Sequence, residues 1–151
     1  MEVVTILRQE IVWQGTTPEA FRAIPNKPAL QFDGHPVWAE FTLLRLLERH
    51  GWKGAWVKNW GGRAFWSDVL EITELPPSAE KLFYRIDKRA GTGAGCWDIL
   101  ASRGDDVFFL ESKQRGRDEI RLSQRVWLEN ALGEGVPLSS FMIAEWERIE
   151  R

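Results

Sequence analysis

The segment from Cys96 to Ala144 constrains the fold more than any other part of the chain. Two apolar runs, Cys96 to Ala101 and Val107 to Lys113, flank Ser102-Arg103-Gly104-Asp105-Asp106, a cluster of turn-forming residues. A helical pattern follows from roughly Leu122 to Leu132, ended by Gly133 and Gly135, and Leu138 to Ala144 reads as a further strand. The first two runs pair across their tight turn, and a strand, helix, strand sequence is expected to form a right-handed parallel crossover. The expectation is an α/β fold with a mixed central β-sheet flanked by helices.

The remainder agrees with that class. Val3 to Trp13 is rich in β-branched and apolar residues and reads as a strand. Thr17-Pro18 is an N-cap followed by proline, opening a short helix through Ile24 that Pro25 and Pro28 break. From Pro36 to His50, Val37, Phe41, Leu44 and Leu47 recur at helical spacing, with Gly51 placed to end the helix. Trp52 to Trp66 has the pattern of a hairpin turning at Gly61-Gly62, and Ser78 is placed to cap a helix running to about Ala90. No repeat or Ser/Gly linker divides the 151 residues. One domain is expected over 1–151, with a strand-and-helix extension at 1–35 and a core at about 36–146.

Charge and cysteine narrow the function classes. Twenty Lys and Arg stand against 22 Asp and Glu, a net charge of −2, so bulk positive charge does not hold a partner and any polyanion needs a local basic patch. The single cysteine, Cys96, excludes an intramolecular disulfide framework, and with two histidines it excludes Cys/His zinc clusters of the usual spacing. A reducing, cytoplasmic setting is the expectation. The start of the chain reads as no secretory leader, and no run reaches the roughly 20 apolar residues of a membrane span.

Chemistry concentrates at the end of the second strand of the pair. Alternation places Val107, Phe109, Glu111 and Lys113 on one face and Phe108, Leu110 and Ser112 on the other. Glu111 and Lys113 therefore emerge side by side at the end of an apolar strand, and pairing across the turn brings Asp98 next to Glu111. Two carboxylates so placed can share a hard divalent cation such as Mg²⁺, with Lys113 as a point charge for phosphate. In the following helix, Gln124 shares a face with Trp127, Leu128 and Ala131, so a polar amide is directed toward the sheet and needs partners there. Glu40 falls within the Val37, Leu44, Leu47 stripe, where a carboxylate is costly unless paired, protonated or bound to a cation.

Gly93-Ala94-Gly95-Cys96-Trp97-Asp98-Ile99-Leu100, Phe108-Phe109-Leu110-Glu111-Ser112-Lys113, Leu122-Ser123-Gln124-Arg125-Val126-Trp127-Leu128 and the Gly135-Val136 turn resemble the PD-(D/E)xK nuclease superfamily. Its small VRR-NUC and Holliday-junction-resolvase-like members are the nearest in pattern, over about residues 91 to 145. Trp97 stands where that family usually has proline. The resemblance implies a restriction-endonuclease-like core and Mg²⁺- or Mn²⁺-dependent hydrolysis of a nucleic-acid phosphodiester, with DNA the favoured substrate. It implies Asp98, Glu111 and the backbone carbonyl of Ser112 as metal ligands, Lys113 to orient or activate the water, Gln124 in support, and Glu40 as an outer or second-metal ligand. Resolvase-like relatives are often homodimers, although no interface is legible in these residues.

The local basic patch has a candidate in Lys113, Arg115, Arg117, Arg121 and Arg125, five cations against Asp118 and Glu119. Beside an acidic metal pocket such a patch would neutralise flanking phosphates. Lys58 and Arg63 bracket Trp60 in the aromatic hairpin and are candidates for phosphate contact beside a stacked base. Each feature also has a plainer reading. Asp98, Glu111 and Lys113 suit a salt-bridged sheet edge, Gln124 a capping amide, Glu40 a helix ion pair, and the arginines a solvated helix face. The tryptophans of the hairpin suit core packing, and His35 and His50 lie outside the constellation. The same strands and patch would also serve a non-catalytic module that binds nucleic acid or protein.

Overall fold

The computed structural model describes residues 3–7, 29–32, 35–59, 62–91, 94–116 and 119–146. Among them the order is β1 (Val3–Leu7), β2 (Ala29–Phe32), β3 (His35–Trp38), α1 (Ala39–Arg49), β4 (Lys53–Lys58), β5 (Ala64–Asp68), β6 (Glu71–Ile72), α2 (Pro77–Ala90), β7 (Ile99–Arg103), β8 (Asp106–Gln114), α3 (Leu122–Gly133) and β9 (Phe141–Trp146). Seven strands form one sheet in the order β1-β9-β8-β7-β4-β5-β6, and β2 pairs with β3 apart from it. β9 runs parallel to β8 and β1, whereas β8-β7-β4-β5-β6 are joined antiparallel. The fold is thus mixed α/β, with α3 carrying the chain between parallel β8 and β9. The short helix expected from Thr17 lies outside the described residues.

Local chemistry explains the bounds. β7 and β8 turn through Gly104-Asp105 alone, with Arg103 opposite Asp106, and Gly104 has φ +59°. That is the first central position of a two-residue type II′ hairpin, which glycine fills without strain. α1 begins at Ala39 rather than Pro36, because Pro36, Val37 and Trp38 are extended against β2. α2 takes Pro77 at its first turn and Pro76 as N-cap, so Ser78 lies inside the helix and does not cap it. After Pro137 a single 3₁₀ turn, Leu138–Ser140, precedes β9.

Alternation along β8 divides the core into two layers. Phe109 joins Phe65, Phe83, Trp97, Trp127 and Phe141 between the sheet and α2–α3, while Leu110 joins Trp38, Phe41, Trp56, Trp66 and Trp146 on the α1 side. Fully burying a large apolar side chain contributes about 1.5–3 kcal/mol. The described tryptophans therefore serve chiefly as core. Trp56 and Trp66, paired across β4 and β5 with ring centroids 5.4 Å apart, are both buried, and Trp60 lies outside the described residues.

Candidate functional site

The site is built where the β7–β8 ladder stops. Ile99 pairs with Leu110, so one further step of register sets Asp98 opposite Glu111. Counting from the two-residue turn, that step is a non-hydrogen-bonded pair, the kind in which facing side chains approach most closely. The carboxylates then replace ladder bonds. Asp98 N–H donates to Glu111 Oε2 at 3.0 Å, and Ser112 N–H donates to Asp98 Oδ2 at 2.8 Å. The Asp98 carbonyl accepts from Val57 N–H at 2.7 Å, which ties the same residue to β4.

Glu111 is the centre of the arrangement and is 2% exposed. Its Oε1 lies 3.0 Å from Lys113 Nζ and accepts from Gln124 Nε2 at 2.5 Å. Burial pushes the Glu111 carboxyl above its ordinary range, and the Lys113 charge, with the hydrogen bonds from Lys113, Asp98 and Gln124, acts the other way. Desolvation disfavours the charged form, so this carboxylate attracts positive charge. Gln124 belongs to the buried face of α3 with Trp127, Leu128 and Ala131, as its spacing indicates. Its Oε1 also accepts from Arg121 N–H at 2.9 Å, half of a capping box at the helix start. One amide thus caps α3 and holds Glu111.

Two neighbours fix these parts. Trp97 Nε1 donates to the Gln124 carbonyl at 3.2 Å, and Trp146 Nε1 donates to Ser112 Oγ at 3.0 Å. Gly95 has φ +87°, and a Cβ there would collide with the Ser123 carbonyl, so glycine permits the loop before Asp98 to lie against the start of α3. Burial pushes the Cys96 thiol up to about 11; Arg63 lowers it, and Asp87, Asp98 and Glu111 raise it further. Cys96 is thus a protonated thiol at neutral pH, within electrostatic reach of the carboxylates.

Other sequence-selected residues are distributed around this edge. Glu40 is half-buried in the first turn of α1; its neighbours Trp38 and Phe41 pack on Trp56, near the end of β4. It belongs to the α1 layer, whereas Glu111 and Lys113 project toward α3. No group of three or more His, Cys, Asp or Glu able to hold a metal gathers among the described residues, so Glu40 does not join Asp98 and Glu111 in one. Arg121 and Arg125 are exposed. Arg115 lies 3.7 Å from Glu145, and Arg117 is outside the described residues. Lys58 and Arg63 turn into the protein: Lys58, 8% exposed, donates to the Gly62 carbonyl at 2.9 Å. Arg63 pairs with Asp87 at 3.1 Å above the Phe83 ring. His35 and His50 are exposed.

Sequence reasoning missed Asp87, which binds Arg63, and the indoles of Trp97 and Trp146, whose partners become visible only in three dimensions. No protein-family model, curated protein or solved structure matches the chain. No helix among the described residues is long and apolar enough to cross a membrane.

Proposed function

We propose that the chain is a divalent-metal-dependent nuclease of the PD-(D/E)xK kind, with a restriction-endonuclease-like core, hydrolysing DNA phosphodiester bonds. The observation that carries this reading is the buried Glu111 carboxylate, bonded at once to Lys113, to Gln124 and to the amide of Asp98. The core assignment is supported by the mixed sheet, in which the hairpin bearing these residues is followed by a helix and a parallel strand.

The donor chemistry fits Mg²⁺ or Mn²⁺: two carboxylates on one hairpin mouth are hard oxygen ligands, and the burial that opposes charge on Glu111 is relieved by a cation. Asp98, Glu111 and the Ser112 carbonyl would hold the ion, without Glu40, which lies in the α1 layer. A bound ion would supply polarisation of the phosphodiester and a water of lowered pKa. Lys113, a donor with no acceptor capacity, balances charge developing on the phosphoryl oxygens, and its contact with Glu111 keeps the ammonium at the strand end. Gln124 positions Glu111, and Trp97 positions Gln124 through its carbonyl. Arg115, Arg117, Arg121 and Arg125 would take flanking phosphates.

The test is incubation of the purified chain with single-stranded, duplex and branched DNA in Mg²⁺ or Mn²⁺. The expected result is metal-dependent cleavage that falls about 100-fold or more in Asp98→Asn and in Lys113→Ala. Undiminished cleavage in both variants would refute the site. One observation favours a second reading, a non-catalytic nucleic-acid- or protein-binding module: both Glu111 oxygens already have partners within the chain. Salt-dependent DNA binding with no metal requirement and no cleavage would select that reading.

A further inference from the structure

Among the described residues, exposed cations left without an acid partner are Lys53 and Arg103 on the sheet and four on one helical layer. Most described arginines near carboxylates are engaged: Arg45 with Glu48 at 2.6 Å, Arg63 with Asp87 at 3.1 Å, Arg85 and Arg89 with Glu134 at 3.6 and 3.7 Å, and Arg115 with Glu145 at 3.7 Å. Lys81 and Lys88 on α2, and Arg121 and Arg125 on α3, are exposed and form no ion pair among the described residues. α2 and α3 pack together on the sheet face from which Glu111 and Lys113 project.

On α2, Lys81, Tyr84, Arg85 and Lys88 follow the i, i+3, i+4, i+7 spacing of a single face, opposite the buried Ala79, Phe83 and Ile86. They line a shallow groove of about 490 Å³ whose remaining walls are Pro77 and Glu80. Tyr84 is 45% exposed in the middle of this stripe. Its ring is held edge-to-face by Phe83 at 5.5 Å and Phe65 at 6.2 Å. A fixed aromatic ring between unpaired ammonium groups is the combination that suits a nucleic-acid strand, with phosphates on the cations and a base on the ring. Of the nearby acids, Glu80 in the first turn of α2 is one wall of the groove, outnumbered there by Lys81, Arg85 and Lys88, and Glu129 lies one turn beyond Arg125. The last turn of α2 approaches the sheet edge that carries the site, since Asp87 pairs with Arg63 at the start of β5 and acts on Cys96.

We propose that the outer face of α2, through Lys81, Tyr84 and Lys88, docks a single-stranded segment of nucleic acid and extends the surface of Arg121 and Arg125 on α3. The substrate class rests on the nuclease reading above; the surface and its residues do not.

The test is fluorescence anisotropy in EDTA, where no cleavage occurs, using the full chain with a labelled single-stranded oligonucleotide and its duplex over a salt series. Lys81→Ala/Lys88→Ala is expected to lower the slope of log affinity against log salt by about 1.4, about 0.7 for each single-strand phosphate no longer neutralised. Tyr84→Leu, which keeps the packing on Phe65 and Phe83 but removes the aromatic face, is expected to weaken single-strand binding roughly 5- to 100-fold and duplex binding less, with Tyr84→Phe restoring it. Lys53→Ala, an exposed cation at the start of β4, is expected to change affinity less than about twofold.

An unchanged slope in the double variant, an unchanged affinity in Tyr84→Leu, or absence of binding by the unaltered chain overturns the proposal. So does binding to anionic phospholipid vesicles with the same residue dependence, which would make the surface a membrane contact. DNA binding through these residues without cleavage in Mg²⁺ upholds this surface and defeats the nuclease reading. Cleavage with binding indifferent to them defeats this surface alone.

Discussion

Replacing Gln124 with alanine should destabilise the protein far more than a substitution at a solvated helix position. Two bonds disappear together: Nε2 to Glu111 at 2.5 Å and Oε1 from Arg121 N–H at 2.9 Å. The first serves a carboxylate that is 2% exposed, where a hydrogen bond to a charged group is worth about 1.5–3 kcal/mol. The second is a helix-capping bond at an exposed residue, where water replaces the partner, so the low end of the range, about 0.5 kcal/mol, applies. The sum is about 2–3.5 kcal/mol, and at about 2–4 °C per kcal/mol for a chain of this size the Tm falls by roughly 4–14 °C. The informative measurement is a urea-denaturation cycle with Glu111→Gln. A neutral acceptor at position 111 reduces the first contribution to about 0.5–1.5 kcal/mol, so the two substitutions should be non-additive by about 1–1.5 kcal/mol. A loss below about 0.5 kcal/mol in Gln124→Ala, or strict additivity in the cycle, would show that the amide does not hold the buried carboxylate.

Further outcomes follow from the same geometry. Gly95→Ala places a side chain at φ +87° and against the Ser123 carbonyl, and should cost about 2–5 kcal/mol by urea denaturation, from about 1–2 for the left-handed backbone and about 1–3 for overpacking. Glu111 holds its proton more tightly in the folded chain than in the unfolded one. Its contribution to stability is therefore fully present below the ordinary carboxylate range and is lost as pH rises through the folded value. Subtracting the pH-stability curve of Glu111→Gln from that of the unaltered chain should reveal this downward slope, and a flat or rising difference would refute it. Asp87→Ala removes the partner of a guanidinium in a half-buried pair, 15% and 22% exposed, and should lower stability by about 1.5–3 kcal/mol; Arg63→Met/Asp87→Leu should recover much of that loss in thermal unfolding.

The site was legible where its signal was local and periodic. Period-two alternation along Phe108 to Lys113 assigned Glu111 and Lys113 to one face, and the 3.6-residue period of Gln124, Trp127, Leu128 and Ala131 assigned the amide to the same layer. Pairing across the turn cluster at 102–106 brought Asp98 next to Glu111, and the two-residue turn of the structure fixes the register. For Gln124 a capping bond and a bond to Glu111 looked like alternatives, yet its two ends make both. What stayed hidden depends on partners that side-chain periodicity does not mark. Arg63 read as an outward cation because nothing near it in the chain announces Asp87 on the next helix as its acceptor, and Lys58 because its acceptor four residues on, the Gly62 carbonyl, is a backbone group with no side-chain signal. Lys81 and Lys88 gave no signal for the converse reason, since a cation becomes notable only once the nearby acids are known to be committed elsewhere. The Pro36 to Trp38 segment carried a hydrophobic residue at helical spacing, and pairing with β2 overrode that pattern. β1 lies beside β9 although the two are at opposite ends of the chain, a pairing that periodicity does not encode.

The amides of Asp98 and Ser112 are secured by carboxylates rather than by strand carbonyls. Their hydrogen-exchange rates therefore serve as built-in reporters of how those carboxylates are engaged. A cation that draws Glu111 away would speed exchange at Asp98, and one that draws the Asp98 carboxylate away would speed it at Ser112, while Ile99 and Leu110, one step deeper in the ladder, stay protected. The occupancy of the acidic pair is in this way written into the opening frequency of the hairpin's mouth, and exchange at two residues reads it without a substrate.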